Sequence, residues 1–270
     1  MIDARLIDRI GRWIEQRAEA MGRDGPPVLG IAGSQGSGKS TLAKAIAERF
    51  GGASLSLDDV YLTKAERAAM AARVHPLFAT RGPLGTHDLG LLNRLLDRLQ
   101  AAGPDDLTPL PRFDKLADDR APHADWPVVK GRPRVIVLEG WCLGVTPQAE
   151  ADLAAPINAL ETEQDVGGEW RRAINAALGR PYARLRARLG ALIFLKAPDF
   201  DVVLDWRCEQ EAGLMGQDDL SPERRAALAV FIQHYERLSR HMMTGGVEAD
   251  LIVALARDRG VRSLEGGLGA

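Results

Sequence analysis

The chain has 270 residues and a mass of 29.3 kDa, which suits one large domain or at most two small ones. Its 46% apolar and 27% charged residues are the balance of a soluble globular chain, not of a disordered or fibrous one. A formal net charge of −2 argues against a dedicated nucleic-acid binder, and two cysteines, Cys142 and Cys208, offer neither a disulfide framework nor a structural zinc site.

Apolar residues at Ile2, Leu6, Ile10, Trp13 and Ile14 predict an amphipathic helix over 2–21, broken by Gly22 to Pro27. Residues 28–32 read as a short buried strand, followed by a glycine-rich turn and a helix over 39–50. Further short runs at 53–57, 135–138, 191–195 and 251–255 read as strands of a parallel sheet covered on both faces. Helical stretches separate them at about 88–100, 168–188, 200–214 and 222–243, the last opened by Ser221 as N-cap and Pro222 as first helical residue. The alternation predicts an α/β fold, a doubly wound and mostly parallel sheet of about five strands. Residues 103–133, with six prolines, form the irregular part, and the C-terminal Gly-Gly-Leu-Gly-Ala reads as a loose end. No apolar run reaches the roughly 18 residues of a membrane span, and the N-terminus lacks the build of a signal peptide, so a cytoplasmic protein without membrane partners is expected.

Gly33-Ser34-Gln35-Gly36-Ser37-Gly38-Lys39-Ser40 matches the phosphate-binding pattern G-x-x-x-x-G-K-[ST] in full, between a buried strand and a helix. Its glycines let backbone N–H groups turn inward onto phosphate oxygens, and the following helix, beginning with Lys39, Ser40 and Thr41, adds its positive end. Lys39 would reach the β- and γ-phosphates of ATP, and the Ser40 hydroxyl would ligate Mg²⁺. An acid beside the metal is required, and Glu139 follows the run Val135–Leu138 directly. Asp58 and Asp59 follow the run Ala53–Leu57 in the same way, so both strand ends point into one crevice beside the loop. Asp58 suits a general base that takes a proton from an acceptor hydroxyl, whereas a guanine-nucleotide switch would carry an N-K-x-D segment that this sequence lacks. Thr63 with Glu66 reads as a helix capping box, and Cys142 as a small buried apolar residue.

With these residues in view, the chain resembles the plant- and fungal-type D-glycerate 3-kinases, within the uridine kinase, pantothenate kinase and phosphoribulokinase relatives of the P-loop kinases. Ser56-Leu57-Asp58-Asp59-Val60-Tyr61-Leu62-Thr63 is similar to that family's S-x-D-D-F-Y-L-T, and Arg81-Gly82 with Gly85-Thr86-His87-Asp88 to its R-G-x-x-G-T-H-D. Pro111-Arg112-Phe113-Asp114-Lys115 with Asp119-Arg120, Glu139-Gly140-Trp141, and Trp206-Arg207 with Gln210-Glu211 complete the resemblance, which runs from residue 30 to about 245. Val60 stands where the family has phenylalanine, and Leu116 where it often has serine. The resemblance implies one P-loop kinase domain over 1–270, with an acceptor region at about 75–133 and lid-like helices at about 200–243.

A small hydroxy acid carries a carboxylate that arginine and lysine recognise by charge-assisted hydrogen bonds. The acceptor set expected from the sequence is Asp59, Tyr61, Arg81, His87, Asp88, Arg112, Asp114, Lys115 and Arg120, with Asp88 also a natural N-cap for the following helix. Arg207, similar to the first lid arginine of uridine kinase relatives, is the candidate for neutralising charge at the β/γ bridge. The expected activity is ATP- and Mg²⁺-dependent phosphorylation of a small acceptor, D-glycerate first. A kinase for a nucleoside or pantothenate-like acceptor, and a non-catalytic nucleotide-binding regulator, remain the alternatives.

Overall fold

The computed structural model describes residues 3–19 and 25–269. Helix α1 (Ala4–Glu19) leads to β1 (Val28–Gly33), α2 (Lys39–Phe50) and β2 (Ala53–Ser56). Then come α3 (Lys64–Arg73), α4 (Leu89–Ala101), the short strands β3 (Leu107–Pro109), β4 (Phe113–Asp114), β5 (Asp119–Arg120) and β6 (Val128–Lys130), and β7 (Ile136–Glu139). Helices α5 (Ala159–Gln164), α6 (Glu169–Ala177) and α7 (Ala183–Arg186) precede β8 (Ala191–Lys196), and α8 (Asp201–Leu214), α9 (Pro222–Met243), β9 (Leu251–Leu255) and β10 (Val261–Gly266) finish the chain. Residues 2, 20 and 21 of the helix expected over 2–21, and Gly22 to Asp24 of the break after it, lie outside the described residues.

The central sheet runs in the order β2–β7–β1–β8–β9–β10. Its first five strands are parallel, as expected, although β2 at the other edge alternates serine with apolar residues and is covered alternately, and β10 pairs antiparallel with β9. Side chains along each strand alternate between two apolar layers. Val28, Ala32, Leu55, Ile136, Leu138, Leu192 and Phe194 join one layer with residues of α4, α6 and α9. Leu29, Ile31, Val137, Ile193, Leu195, Leu251 and Val253 join the other with Ile10, Trp13 and Ile14 of α1 and Leu42 and Ile46 of α2. From β1 the chain passes to β2 and β7 on one side, then to β8 on the other, so the crevice opens at the carboxyl end of β1.

Three expectations need correction. β10 is a sixth strand beyond the five expected, and of the expected loose end only Gly266 belongs to it; that strand is half-exposed at the sheet edge, so it lacks an apolar run. The helix expected over 168–188 stops at Ala177, passes through a π turn at Leu178–Tyr182 and resumes for one turn, because Pro181 has no N–H to give and clashes with the preceding turn. The irregular stretch carries two small antiparallel pairs, β3 with β6 and β4 with β5. Among the described residues no helix is long and apolar enough to cross a membrane.

Candidate active site

The phosphate loop leaves β1 and enters α2 through Gly38, an N-cap at φ 91° with no side-chain capping bond, so the first N–H groups of α2 remain available to an anion. Buried side-chain oxygens of Ser34, Gln35 and Ser37 in this loop have no partner. Gly36 has to be glycine: a Cβ there would sit 2.5 Å from Cβ of Trp206 on α8. Lys39 is buried and donates from Nζ to the Ser34 carbonyl over 3.0 Å. Burial lowers its pKa, and the charges of Glu139 and Asp58 work against that shift. The Ser40 hydroxyl donates to Oε1 of Glu139 over 2.9 Å, which joins the two expected Mg²⁺ ligands across β1 and β7. A hydroxyl and one carboxylate, completed by phosphate and water oxygens, is a donor set that suits Mg²⁺. Thr41 lies exposed on the first turn of α2.

Beyond β2 the chain turns through a 3-10 helix at Leu57–Val60, with Ser56 as its N-cap. This turn separates the two acids. Asp58 receives the Tyr61 hydroxyl on Oδ1 over 2.7 Å and the Lys115 ammonium on Oδ2 over 2.9 Å. Burial pushes its pKa up, but the charge of Lys115, both hydrogen bonds and the charge of Lys39 outweigh burial and bring it down to about 2. Asp59 takes different partners, Arg112 at 3.0 Å and the Phe113 N–H at 3.3 Å. Burial raises its pKa despite Arg112.

The remaining expected acceptor residues divide into groups. Arg81 is ion-paired to Asp118, which also takes Arg67 at 2.6 Å. Asp88 is both N-cap of α4, accepting from the Leu91 N–H, and partner of Arg120 at 3.3 Å; Arg120 also donates to the Tyr61 carbonyl. Asp114 lies outside the constellation, because its carboxylate accepts the Leu116 and Ala117 N–H groups of the β4–β5 turn. His87 stacks on Tyr61 with ring centroids 4.8 Å apart, and Nδ1 lies 2.6 Å from the Tyr182 hydroxyl. That hydroxyl also accepts the Gly85 N–H, and Nε2 of His87 is buried without a partner. Burial holds the pKa of His87 down to about 4. Arg207 on α8 does not face the phosphate loop freely; it pairs with Glu211 at 2.8 Å, and Arg224 binds the same carboxylate. Cys142 is buried and burial pushes its thiol pKa up, as a small apolar residue requires.

Several supporting residues carry no sequence signal. Arg67 on α3 is wholly buried and donates to the carbonyls of Leu62, Ala79 and Asp118, fixing the loop that carries Arg81. Tyr235 of α9 donates to the Arg81 carbonyl over 3.3 Å, and its hydroxyl occupies the place a Cβ on Gly82 would need. Both Thr63–Glu66 capping bonds are present.

No family model matches the chain. The chain is 32% identical over 249 residues to mug58, described as an uncharacterised kinase of Schizosaccharomyces pombe, with 85% of each chain covered. It is 34% identical over 218 residues to the chloroplastic D-glycerate 3-kinase of Arabidopsis thaliana, covering 75% of this chain and 45% of that protein. Its fold is similar to that of the D-glycerate 3-kinase of Cryptococcus neoformans, at 22% identity and a TM-score of 0.72, with 97% of this chain and 99% of that one covered. The crevice beside the phosphate loop and these relatives together identify the chain as an ATP-dependent small-molecule kinase that belongs to the glycerate 3-kinase-like family of P-loop kinases.

Proposed function

We propose that the chain is one P-loop kinase domain that transfers the γ-phosphoryl group of ATP to a hydroxyl of D-glycerate, giving 3-phosphoglycerate. The observation that carries this reading is the Asp58–Lys115 pair beside the phosphate loop, which joins a candidate base to a cation suited to a carboxylate. Lys39 and the N–H groups opening α2 receive the phosphates. Ser40 and Glu139 would hold Mg²⁺, which when bound neutralises charge on the phosphate oxygens. The acceptor's carboxylate draws Lys115 away from Asp58, with Arg81 as a further donor and His87 as a further polar group at the acceptor site. Losing Lys115 raises the pKa of Asp58, and the carboxylate then takes the hydroxyl proton as the oxygen attacks phosphorus and the bond to the β-phosphate oxygen breaks. Arg207 exchanges Glu211 for the transferring phosphoryl group, while Arg224 keeps Glu211 paired.

A nucleoside acceptor fits less well. The rings of Tyr61 and Phe113 pack edge to face at 5.2 Å, Tyr61 stacks on His87, and Arg67 and Arg81 lie over Phe113, so these rings are already engaged with one another. The test is acceptor-dependent ADP formation across hydroxy acids, sugars and nucleosides, with ATP binding followed by calorimetry. D-glycerate should stimulate turnover most, and Asp58→Asn should lose about 10²–10⁴ in kcat with ATP affinity nearly unchanged. Preference for another acceptor overturns the substrate. No stimulation by any acceptor favours a nucleotide-binding regulator.

A further inference from the structure

Arg259 lies in the turn between β9 and β10 and has a left-handed backbone, φ 66°; the other non-glycine residue of this kind among those described is Asp118. A side chain disfavours that conformation, which persists where surrounding contacts hold it and often marks a functional constraint. The Arg259 backbone N–H donates to the Ala256 carbonyl across the turn at 2.9 Å, and three side-chain contacts hold the residue further. Its Nε donates to the Gly36 carbonyl over 2.7 Å, its Nη2 meets Glu209 at 2.6 Å, and its guanidinium lies 5.1 Å from the centre of the Trp206 ring. Trp206 is fixed in turn by its indole N–H on the Arg257 carbonyl at 2.8 Å. One arginine from the far end of the chain therefore bonds the tip of the phosphate loop and the helix that carries Arg207.

The bond to Gly36 has a geometric consequence. The peptide between Gly36 and Ser37 is planar and trans, so its carbonyl and its N–H point in opposite directions. With the carbonyl drawn outward to Arg259, the Ser37 N–H turns inward, where it meets the Ser34 carbonyl at 3.3 Å. The same carbonyl receives the Lys39 ammonium. A bond that long is readily exchanged for a phosphate oxygen. We infer that Arg259 is a positioning residue that holds the Gly36–Ser37 peptide in its phosphate-binding orientation and ties the loop to α8, so that it serves the polyphosphate of the nucleotide and not the acceptor.

The test compares the whole wild-type protein with Arg259→Ala and Arg259→Lys. Calorimetry with Mg²⁺ measures affinity for ATP and for inorganic tripolyphosphate, and turnover gives KM for ATP and for the acceptor. Arg259→Ala should weaken ATP and tripolyphosphate alike, by about 10-fold or more, since a charge-assisted hydrogen bond is removed. KM for the acceptor should stay within about twofold of wild type. Added methylguanidinium should restore part of the ATP affinity of Arg259→Ala. If Arg259→Ala does not fold, judged by thermal melting, the same comparison is made with Arg259→Lys, which keeps the charge but loses the planar fork. Weaker ATP binding with unchanged tripolyphosphate affinity would place Arg259 against the nucleoside and overturn the inference, as would unchanged affinity for both ligands. Wild-type protein that binds neither ligand would instead refute nucleotide binding itself, so the two failures are distinct.

Discussion

Lys115→Ala is the perturbation that bears most directly on how Asp58 works. The ammonium lies 2.9 Å from Oδ2 of Asp58, and the Tyr61 hydroxyl holds the other oxygen at 2.7 Å. Burial alone would raise the pKa of Asp58 above its ordinary 3.8; Lys115 supplies the largest opposing effect and the result is about 2. Without Lys115, burial is opposed by Tyr61 and Lys39 but no longer by the largest lowering effect, so the pKa of Asp58 should rise above its wild-type value of about 2. The direct assay is a carboxyl-carbon NMR titration in which Asp58→Asn identifies the resonance. The kinetic assay is the ratio of kcat/KM between variant and wild type from pH 7 downward, in which ionisation of the acceptor itself cancels. That ratio should fall as the pH is lowered through the variant's raised midpoint, because the variant's base becomes protonated while the wild type's stays ionised. KM for a carboxylate acceptor should rise about 10-fold, with KM for ATP nearly unchanged. An Asp58 midpoint that stays near 2 in the variant, with a pH-independent ratio, would refute the pairing and with it the exchange by which the acceptor activates its base.

Other outcomes follow from the same contacts. Glu139→Gln should raise the Mg²⁺ concentration needed for half-maximal activity, since an amide is a poorer ligand for a hard cation; an unchanged Mg²⁺ titration would remove Glu139 from the metal site. Arg67→Ala leaves three carbonyls and Asp118 without their buried donor and should cost about 3 kcal/mol of stability in denaturant unfolding, a loss below about 1 kcal/mol counting against it. His87 is held at about 4 against an ordinary 6.5, so between those values the unfolded chain takes up a proton that the native state refuses. Its contribution is complete above pH 6.5 and is lost as the pH falls towards 4, by roughly 3 kcal/mol, and His87→Gln should flatten that stretch of the stability–pH curve.

The phosphate loop was legible because its chemistry is local: glycine spacing, the lysine and the following helix sit within one stretch of chain, and the conformation there follows from neighbouring residues alone. Asp58 and Glu139 were legible for a related reason, since an acid at or just past the carboxyl end of a parallel strand near β1 emerges at the crevice edge. Arg67 was not, because α3 reads as an ordinary surface helix and only the loop at 79–81 and the β4–β5 turn, brought there by tertiary packing, bury its guanidinium. Tyr182 was hidden within a pattern read as continuous helix, and the π turn around Pro181 is what aims it at His87. Asp114 misled for the opposite reason: an Asp beside a lysine in a charged segment looks like a ligand, yet two backbone N–H groups one turn ahead claim its carboxylate.

Pairing is the feature that joins these residues into one device. Lys115, Arg112, Arg81, Arg120 and Arg207 are each matched to an acid of the chain: Asp58, Asp59, Asp118, Asp88 and Glu211. An anionic substrate that engages any of them must displace that acid, so its affinity is a difference between two pairings and not the full strength of the new one. Exposure then orders the exchanges. The Lys115 side chain is 55% exposed and carries its charge on a flexible stem, so it can leave Asp58 for an arriving anion. Arg67, wholly buried, holds Asp118 in place, and through it Arg81 keeps a fixed position instead of a free charge. The division suits a kinase acceptor site. In the proposed reaction a rigid cation would fix where the acid group sits, and a mobile one would free the base only when that group has arrived, which would couple proton acceptance to occupancy by the right kind of molecule.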